Sequence, residues 1–136
     1  MATKGNLIIQ IMYPKICVVQ INVTDMDEAT DFYCNKIGFK INNREYYPQL
    51  LSLENSGVYF ILSKVEKSAV INYPVEAGTM INIEVSDLEK SIKELKSKGV
   101  EFIHSTPQKC PVGIYAAIKD PCGNVMELLE FQFDKK

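Results

Sequence analysis

The strongest constraint on the fold of this chain is an internal repeat. The segment Ile21–Glu28 (INVTDMDE) returns 62 positions later as Ile83–Lys90 (IEVSDLEK). In both copies a β-branched run ends in a hydroxyl residue followed by Asp, and a helical pattern then runs to a glycine, Gly38 or Gly99. A repeat of this length that is present twice predicts two similar modules related by a pseudo-twofold axis, with a cavity between them.

The pattern of strands and helices is the same in both halves. A strand rich in Val and Ile precedes each helix, and each helix has apolar residues at three- and four-residue steps. Extended segments with turn-rich connections follow, so the predicted class is α+β with the order β-α-β-β-β, twice. We predict a single domain, 1–136, composed of an N-terminal arm (1–15), a first module (16–64), a linker (65–78) and a second module (79–133).

Composition and charge argue against several classes of partner. With 15 Lys and Arg against 17 Asp and Glu, the formal net charge is −2. A basic patch for nucleic acid or an anionic membrane surface is missing, so neither partner is expected. The apolar segment Leu7–Tyr13 is too short to span a bilayer. We expect it to form a strand or arm that packs on the body or on a partner subunit.

The four cysteines are Cys17, Cys34, Cys110 and Cys122, and no two of them form a Cys-x-x-Cys motif. They do not resemble the disulfide framework of a small secreted protein. We therefore expect free thiols and a cytoplasmic location. Pairing of Cys110 with Cys122 across a hairpin is the alternative.

Short segments with a specific order and spacing occur between residues 16 and 131. They are Ile21–Ala29 with Phe32-Tyr33, Ile37-Gly38-Phe39, Glu84–Leu88, Pro111-Val112-Gly113 and Asp120–Leu128. In these segments the chain resembles the vicinal oxygen chelate superfamily. That superfamily includes glyoxalase I, bleomycin-resistance proteins, fosfomycin-resistance enzymes and extradiol dioxygenases.

The resemblance implies that two tandem βαβββ modules form a curled mixed sheet, or cup, with the helices outside. It also implies a homodimer or a fused duplicate. In catalytic members the cup holds a divalent metal ion that chelates neighbouring substrate oxygens. The ligands are a His or Gln early in the first strand, a His at the start of the second-copy strand and a Glu in the last strand. Some members add a fourth ligand from the last strand of the first module.

Residue-by-residue mapping shows that most of these metal ligands are missing here. The first-strand position falls on Val18, the second-copy position on Met80, and the fourth position on Phe60 or Ile61. Only Glu127 keeps a ligating side chain. Val cannot ligate, and a Met thioether is too soft for the ions that the family uses. We therefore expect no metal cofactor.

Two features allow other interpretations. A register slip of two residues keeps the same strand face and would place Gln20, Asn82 or Glu84, and Glu127 around a weak Mg²⁺ or Ca²⁺ site. The single histidine, His104, lies at the end of a predicted second-copy strand. It is either an ordinary strand-end residue or an acid or base that lines the pocket.

Strand alternation predicts which residues line the cup. In both copies one face of the first strand is apolar and must pack on the helices, so the mixed face is left for the cavity. Tyrosines could supply aromatic walls: Tyr46, Tyr47, Tyr59, Tyr73 and Tyr115. The predicted ligand-binding residues are Val18, Gln20, Asn22, Phe60, Met80, Asn82, Glu84, Tyr115 and Glu127.

Glu127 is also the one candidate catalytic residue. Without a metal ion a buried carboxyl needs a partner, such as the amide of Gln20, and it is then either a satisfied structural group or a general base. A cavity with a few amides, one or two carboxylates and apolar neighbours has the composition of a small-molecule site.

Three functional hypotheses follow. The first, which we favour, is a metal-free protein that binds a small molecule, as the bleomycin-resistance branch does. The second is an enzyme, either a metal-dependent lyase, isomerase or dioxygenase or a metal-free variant that uses Glu127. The third is an accessory module that associates with another protein.

Overall fold

The computed structural model of this protein describes residues 14–133. The predicted arm, 1–15, therefore lies almost entirely outside the described residues. The first module contains β1 (Val18–Val23), α1 (Met26–Thr30), which continues as a π-helix (Asp31–Ile37), and three further strands. These are β2 (Ile41–Asn43), β3 (Leu50–Leu53) and β4 (Tyr59–Lys64). Its sheet has the order β1-β4-β3-β2, and β1 runs parallel to β4.

The second module repeats this plan with one more strand. It contains β5 (Asn82–Glu84), α2 (Leu88–Ser97), β6 (Glu101–Phe102), β7 (Gln108–Cys110), β8 (Gly113–Lys119) and β9 (Val125–Phe131). The sheet order is β5-β9-β8-β6, β7 also pairs with β8, and β5 runs parallel to β9. The predicted mixed α+β fold is confirmed. The described strands, however, form two open sheets rather than one curled sheet, and the added strand β7 was not predicted.

Both helices begin at an aspartate of the repeat. The Asp25 side chain accepts a hydrogen bond from the Glu28 amide, and the Asp87 side chain accepts one from the Lys90 amide. These caps satisfy amide groups that have no partner within the helix. The first helix ends at Gly38, whose φ of 108° is strained for residues other than glycine.

The apolar faces predicted from alternation form the core. Ile21 and Val23 on β1 are buried, as are Leu88, Ile92 and Leu95 on α2. They belong to one cluster that includes residues of both modules. The helices cover these buried residues, whereas Val19, Ile81 and Ile83 of the same strand faces are only half-buried.

The linker crosses the second module. The Ala69 amide donates a 3.2 Å hydrogen bond to the Cys122 carbonyl. At Gly123, where φ is +87°, an added Cβ would lie 2.2 Å from the Ala69 carbonyl oxygen. Only glycine allows the two backbones to approach this closely.

No helix within residues 14–133 combines the length and apolar character that a bilayer crossing requires.

Candidate functional site

The structure divides the predicted site residues among separate places. The second sheet brings Glu127 and Tyr115 together with Tyr73 and His104. Gln20 and Asn22 line a first groove. Phe60, Asn82 and Glu84 line a second groove. Val18 is 43% exposed on β1, and Met80 is half-buried just before β5.

Glu127 is held on β9 by the alternation of that strand. Its neighbours Met126 and Leu128 are each 1% exposed in the core, so Glu127 points to the opposite, mixed face. There its carboxylate accepts a 2.5 Å hydrogen bond from the Tyr73 hydroxyl. The predicted partner, Gln20, was wrong. The Gln20 amide instead donates to Asn22 Oδ1 at 2.8 Å, because the two side chains are neighbours on one face of β1.

Tyr73 is the linker residue that closes over this face. Burial raises the pKa of Tyr73 above its ordinary value, and the hydrogen bond to Glu127 raises it further. Both effects disfavour the phenolate, so Tyr73 remains a hydrogen-bond donor to the carboxylate. The interaction ties the linker to β9 and uses one oxygen of Glu127.

His104 lies between β6 and β7, where the backbone pairing with β8 is interrupted. Its Nδ1 accepts a 3.1 Å hydrogen bond from the amide of Ala117, which lies on β8 between the residues paired with β6 and those paired with β7. The imidazole is also edge-on to Tyr73 and Tyr115, with ring centroids 5.5 and 5.6 Å away. These contacts support a structural role for His104 next to Glu127.

The first groove has a volume of about 490 Å³ and lies between β1, the β8–β9 turn and the linker. Its polar lining includes the amides of Gln20, Asn22 and Asn124. The Asn124 side chain donates a 2.9 Å hydrogen bond to the Asn22 carbonyl and so joins the two modules.

The second groove has a volume of about 450 Å³ and lies between β1, β5 and the β3–β4 turn. Its floor is apolar and its rim carries Asn55, Asn82 and Glu84. Phe60 is only 5% exposed and packs edge-on against Phe39 at a centroid distance of 5.0 Å. It therefore lies on the core side of β4. The other residue given for the fourth ligand position, Ile61, pairs with Gln20 and shares its face.

The residues that the resemblance assigns as metal ligands do not supply the donors that a divalent ion needs. Val18 offers no donor, Met80 offers a thioether, and Glu127 is already bonded by Tyr73. Within residues 14–133 no group of three His, Cys, Asp or Glu side chains could hold a metal ion. A typical protein site for such ions has three or four protein donors. All four cysteines are free thiols, as predicted.

Comparison with known proteins identifies the family. The model of the Glyoxalase/Bleomycin resistance protein/Dioxygenase superfamily matches residues 15–128, and the chain belongs to this superfamily. The resemblance predicted from the sequence is thereby confirmed.

Individual relatives carry different functional descriptions. The probable lactoylglutathione lyase of Synechocystis sp. (strain ATCC 27184 / PCC 6803 / Kazusa) is 26% identical, over 81% of this chain and 90% of its own. A superfamily member from Alicyclobacillus acidocaldarius is 25% identical, with a TM-score of 0.66 over 88% of this chain and 92% of its own. TnmS3, an antibiotic binding protein from Streptomyces sp. CB03234, is 22% identical, with a TM-score of 0.65 over 89% of this chain and 98% of its own. The match to TnmS3 shows a shared fold.

Proposed function

We propose that this protein binds a small organic molecule and that it does so without a metal ion. The proposal rests on the residues that the resemblance assigns to the metal-ligand positions of catalytic members. Val18 and Met80 cannot serve a hard or borderline divalent cation. The remaining carboxylate, Glu127, accepts a hydrogen bond from Tyr73.

The surfaces available for a ligand support the binding half of the proposal. Both grooves combine apolar side chains with a few amides, and their volumes lie within the range of about 300–1,000 Å³ usual for small-molecule sites. The predicted residues Gln20 and Asn22 lie in the first groove, and Asn82 and Glu84 lie in the second. The shared fold with the antibiotic-binding TnmS3 is consistent with this role.

Elemental analysis tests the metal-free half. The protein would be produced in medium that contains Mn, Fe, Co, Ni and Zn, and the ion content per chain would be measured by mass spectrometry. We expect far less than one ion per chain. One ion per chain, lost when Glu127 is changed to Gln, would contradict the proposal.

Nuclear magnetic resonance tests the binding half. A library of small organic molecules would be titrated into the ¹⁵N-labelled protein while the backbone amide signals are followed. We expect some library members to shift the signals of groove residues such as Asn22 or Glu84. A library that leaves all these signals unchanged would argue against a small-molecule function.

One observation favours a second function, an enzyme that transfers a proton through Glu127. The Tyr73 hydroxyl on Glu127 and the nearby His104 together form a compact set of proton-exchanging groups. The likeness to the probable lactoylglutathione lyase agrees with this alternative. Turnover of a methylglyoxal–thiol adduct, with and without added Ni²⁺ or Zn²⁺, is the test. Activity that is lost in Glu127→Gln would support the enzyme, and an inactive parent protein would count against it.

We also propose a cytoplasmic homodimer. Val18 and Tyr59 are cross-strand partners on one face of the first sheet, and they are 43% and 66% exposed. Burial of this apolar surface against a second copy would be favourable. Light scattering during size-exclusion chromatography measures the mass, and a monomer at micromolar concentration would contradict the dimer.

The proposed cytoplasmic location has separate support. The four free thiols are consistent with a reducing compartment.

A further inference from the structure

The two grooves are equivalent under the internal repeat. β5 follows β1 by 62 positions, since Gln20 corresponds to Asn82. The cross-strand pairs Gln20–Ile61 and Asn82–Glu127 then place β9 66 positions after β4, because 127 − 61 is 66. With these offsets, Ile21, Asn22 and Met126 of the first groove correspond to Ile83, Glu84 and Phe60 of the second.

The linker breaks this equivalence. It follows β4 and forms one side of the first groove through Val65, Lys67, Ala69 and Ile71. The hydrogen bond from Ala69 to Cys122 holds it there. Within residues 14–133, the lining of the second groove comes from β1, β4, β5 and their adjoining loops, with no linker residue. Among the described residues, the linker therefore lines the first groove and not the second.

The two grooves also differ in charge. The first groove has the amide of Asn22 where the second has the carboxylate of Glu84. Among residues 14–133, Glu84 is the only charged residue that lines the second groove. Glu84 has no ion-pair partner within the described part of the chain. Two lysines line an adjoining groove that Glu84 shares. One of them, Lys98, is 3.6 Å from Glu94 and donates to the carbonyl of the other, Lys36, at 3.4 Å.

The floor of the second groove is apolar and incompletely covered. Val19, Phe39, Ile81 and Ile83 are half-buried there, packed against the core, beside the buried Phe60. An apolar ligand body would remove these side chains from water, which is favourable in proportion to the area covered. A positive group at the rim would meet the carboxylate of Glu84.

We propose that the second groove binds an amphipathic organic cation, with its apolar body on the Val19–Phe60–Ile83 floor and its ammonium or amidinium group at Glu84. This inference rests on the proposed small-molecule function and names the site and the class of ligand. The first groove, which is lined by Lys67 and has no carboxylate among its described lining residues, does not share this preference.

The test uses three probes of similar size and different charge: 4-phenylbutylamine, 4-phenylbutanol and 4-phenylbutyrate. Each would be titrated into the ¹⁵N-labelled full-length protein at neutral pH. We expect the amine to bind most tightly and to shift the amide signals of Val58, Ile83 and Glu84, while those of Asn22 and Asn124 serve as an internal reference for the first groove. Equal affinity for the three probes, or shifts confined to the first groove, would overturn the proposal.

Variants of Glu84 separate charge from shape. Glu84 is exposed, so Glu84→Gln and Glu84→Lys should fold normally. Glu84→Gln should weaken amine binding about threefold and leave the alcohol unchanged, as expected for an exposed ion pair. Glu84→Lys should reverse the preference in favour of 4-phenylbutyrate. Glu89→Gln removes the same charge from the exposed side of α2 and should change nothing.

Other outcomes show whether this inference or the proposed function has failed. If dilution without any probe moves the same signals, the groove is a contact between copies of this chain and the proposal is wrong. If none of the three probes binds while other library members shift signals elsewhere, this inference fails and the metal-free binding function stands. One metal ion per chain would instead defeat the proposed function itself.

Discussion

The Tyr33 hydroxyl donates a 2.7 Å hydrogen bond to the carboxylate of Asp120, 87 positions further along the chain. Tyr33 lies on the π-helix of the first module, and Asp120 begins the β8–β9 turn of the second. The same carboxylate accepts from the amides of Cys122 and Asn124 and from the Asn124 side chain, each at 2.8–2.9 Å. Asp120 is 3% exposed, and these four donors compensate for the burial of its charge.

Tyr33→Phe should destabilise the fold by about 2 kcal/mol, because the variant leaves a buried carboxylate with one donor fewer. Urea denaturation followed by circular dichroism gives the free energy of unfolding. Tyr46→Phe is the matched control, since Tyr46 is 64% exposed and should change the stability by less than about 0.5 kcal/mol. Equal effects of the two variants would contradict a stabilising role for the Tyr33–Asp120 bond.

Stability should also fall in alkaline solution. Burial, followed by the charge of Asp120 and the hydrogen bond to it, raises the pKa of Tyr33 above its ordinary value of 10.0. Below pH 10 Tyr33 is protonated in both the folded and unfolded states. Above pH 10 the unfolded state loses this proton first, so the free energy of unfolding decreases by about 1.4 kcal/mol per pH unit for this group. Urea titrations between pH 9 and about 11 should show a shallower decrease for Tyr33→Phe, and parallel curves would exclude this contribution.

Gly123→Ala should detach the linker from the β8–β9 turn. The added Cβ would lie 2.2 Å from the Ala69 carbonyl oxygen, at a residue whose φ is +87°. We expect a loss of at least about 2 kcal/mol in the free energy of unfolding. Gly57→Ala isolates the backbone penalty, because φ is +99° there and nothing lies within 4 Å of the new Cβ. It should cost about 1 kcal/mol, and an equal cost for both would show that the close approach does not matter.

His104→Ala should expose the role of the imidazole at the interrupted strand. The Ala117 amide would lose its acceptor while Ala117 is 0% exposed, at a cost of about 1–3 kcal/mol. Hydrogen exchange of the Ala117 amide, measured by magnetic resonance, should accelerate strongly in this variant. His104→Asn keeps a short acceptor and should slow the exchange again. Unchanged exchange in both variants would remove the structural role and favour His104 as an acid or base.

Much of the fold follows from local sequence patterns. The repeat and the alternation of apolar residues predict the two modules and the burial of Ile21 and Val23, which the structure confirms. Strand β7 was missed because Gln108-Lys109-Cys110 has no apolar alternation. It exists because its backbone pairs with β8, and that interaction depends on chain geometry rather than on side-chain pattern.

The site was less predictable than the fold. Alternation places Glu127 on the mixed face, but no periodicity in residues 65–78 indicates that Tyr73 contacts Glu127. The contact depends on the path of an irregular segment, which the Ala69–Cys122 hydrogen bond and the close approach at Gly123 determine. A Tyr-Pro pair in a linker and a single histidine were the available signals, and neither specifies a partner.

A polypeptide that joins two copies of a motif in series needs a connection between them, and it needs that connection only once. Here the joining stretch runs beside one of two sister crevices, so the halves cannot be interchangeable even where their sequences are alike. A small molecule therefore meets different surroundings in each crevice. Asymmetry of this kind is a direct result of chain connectivity.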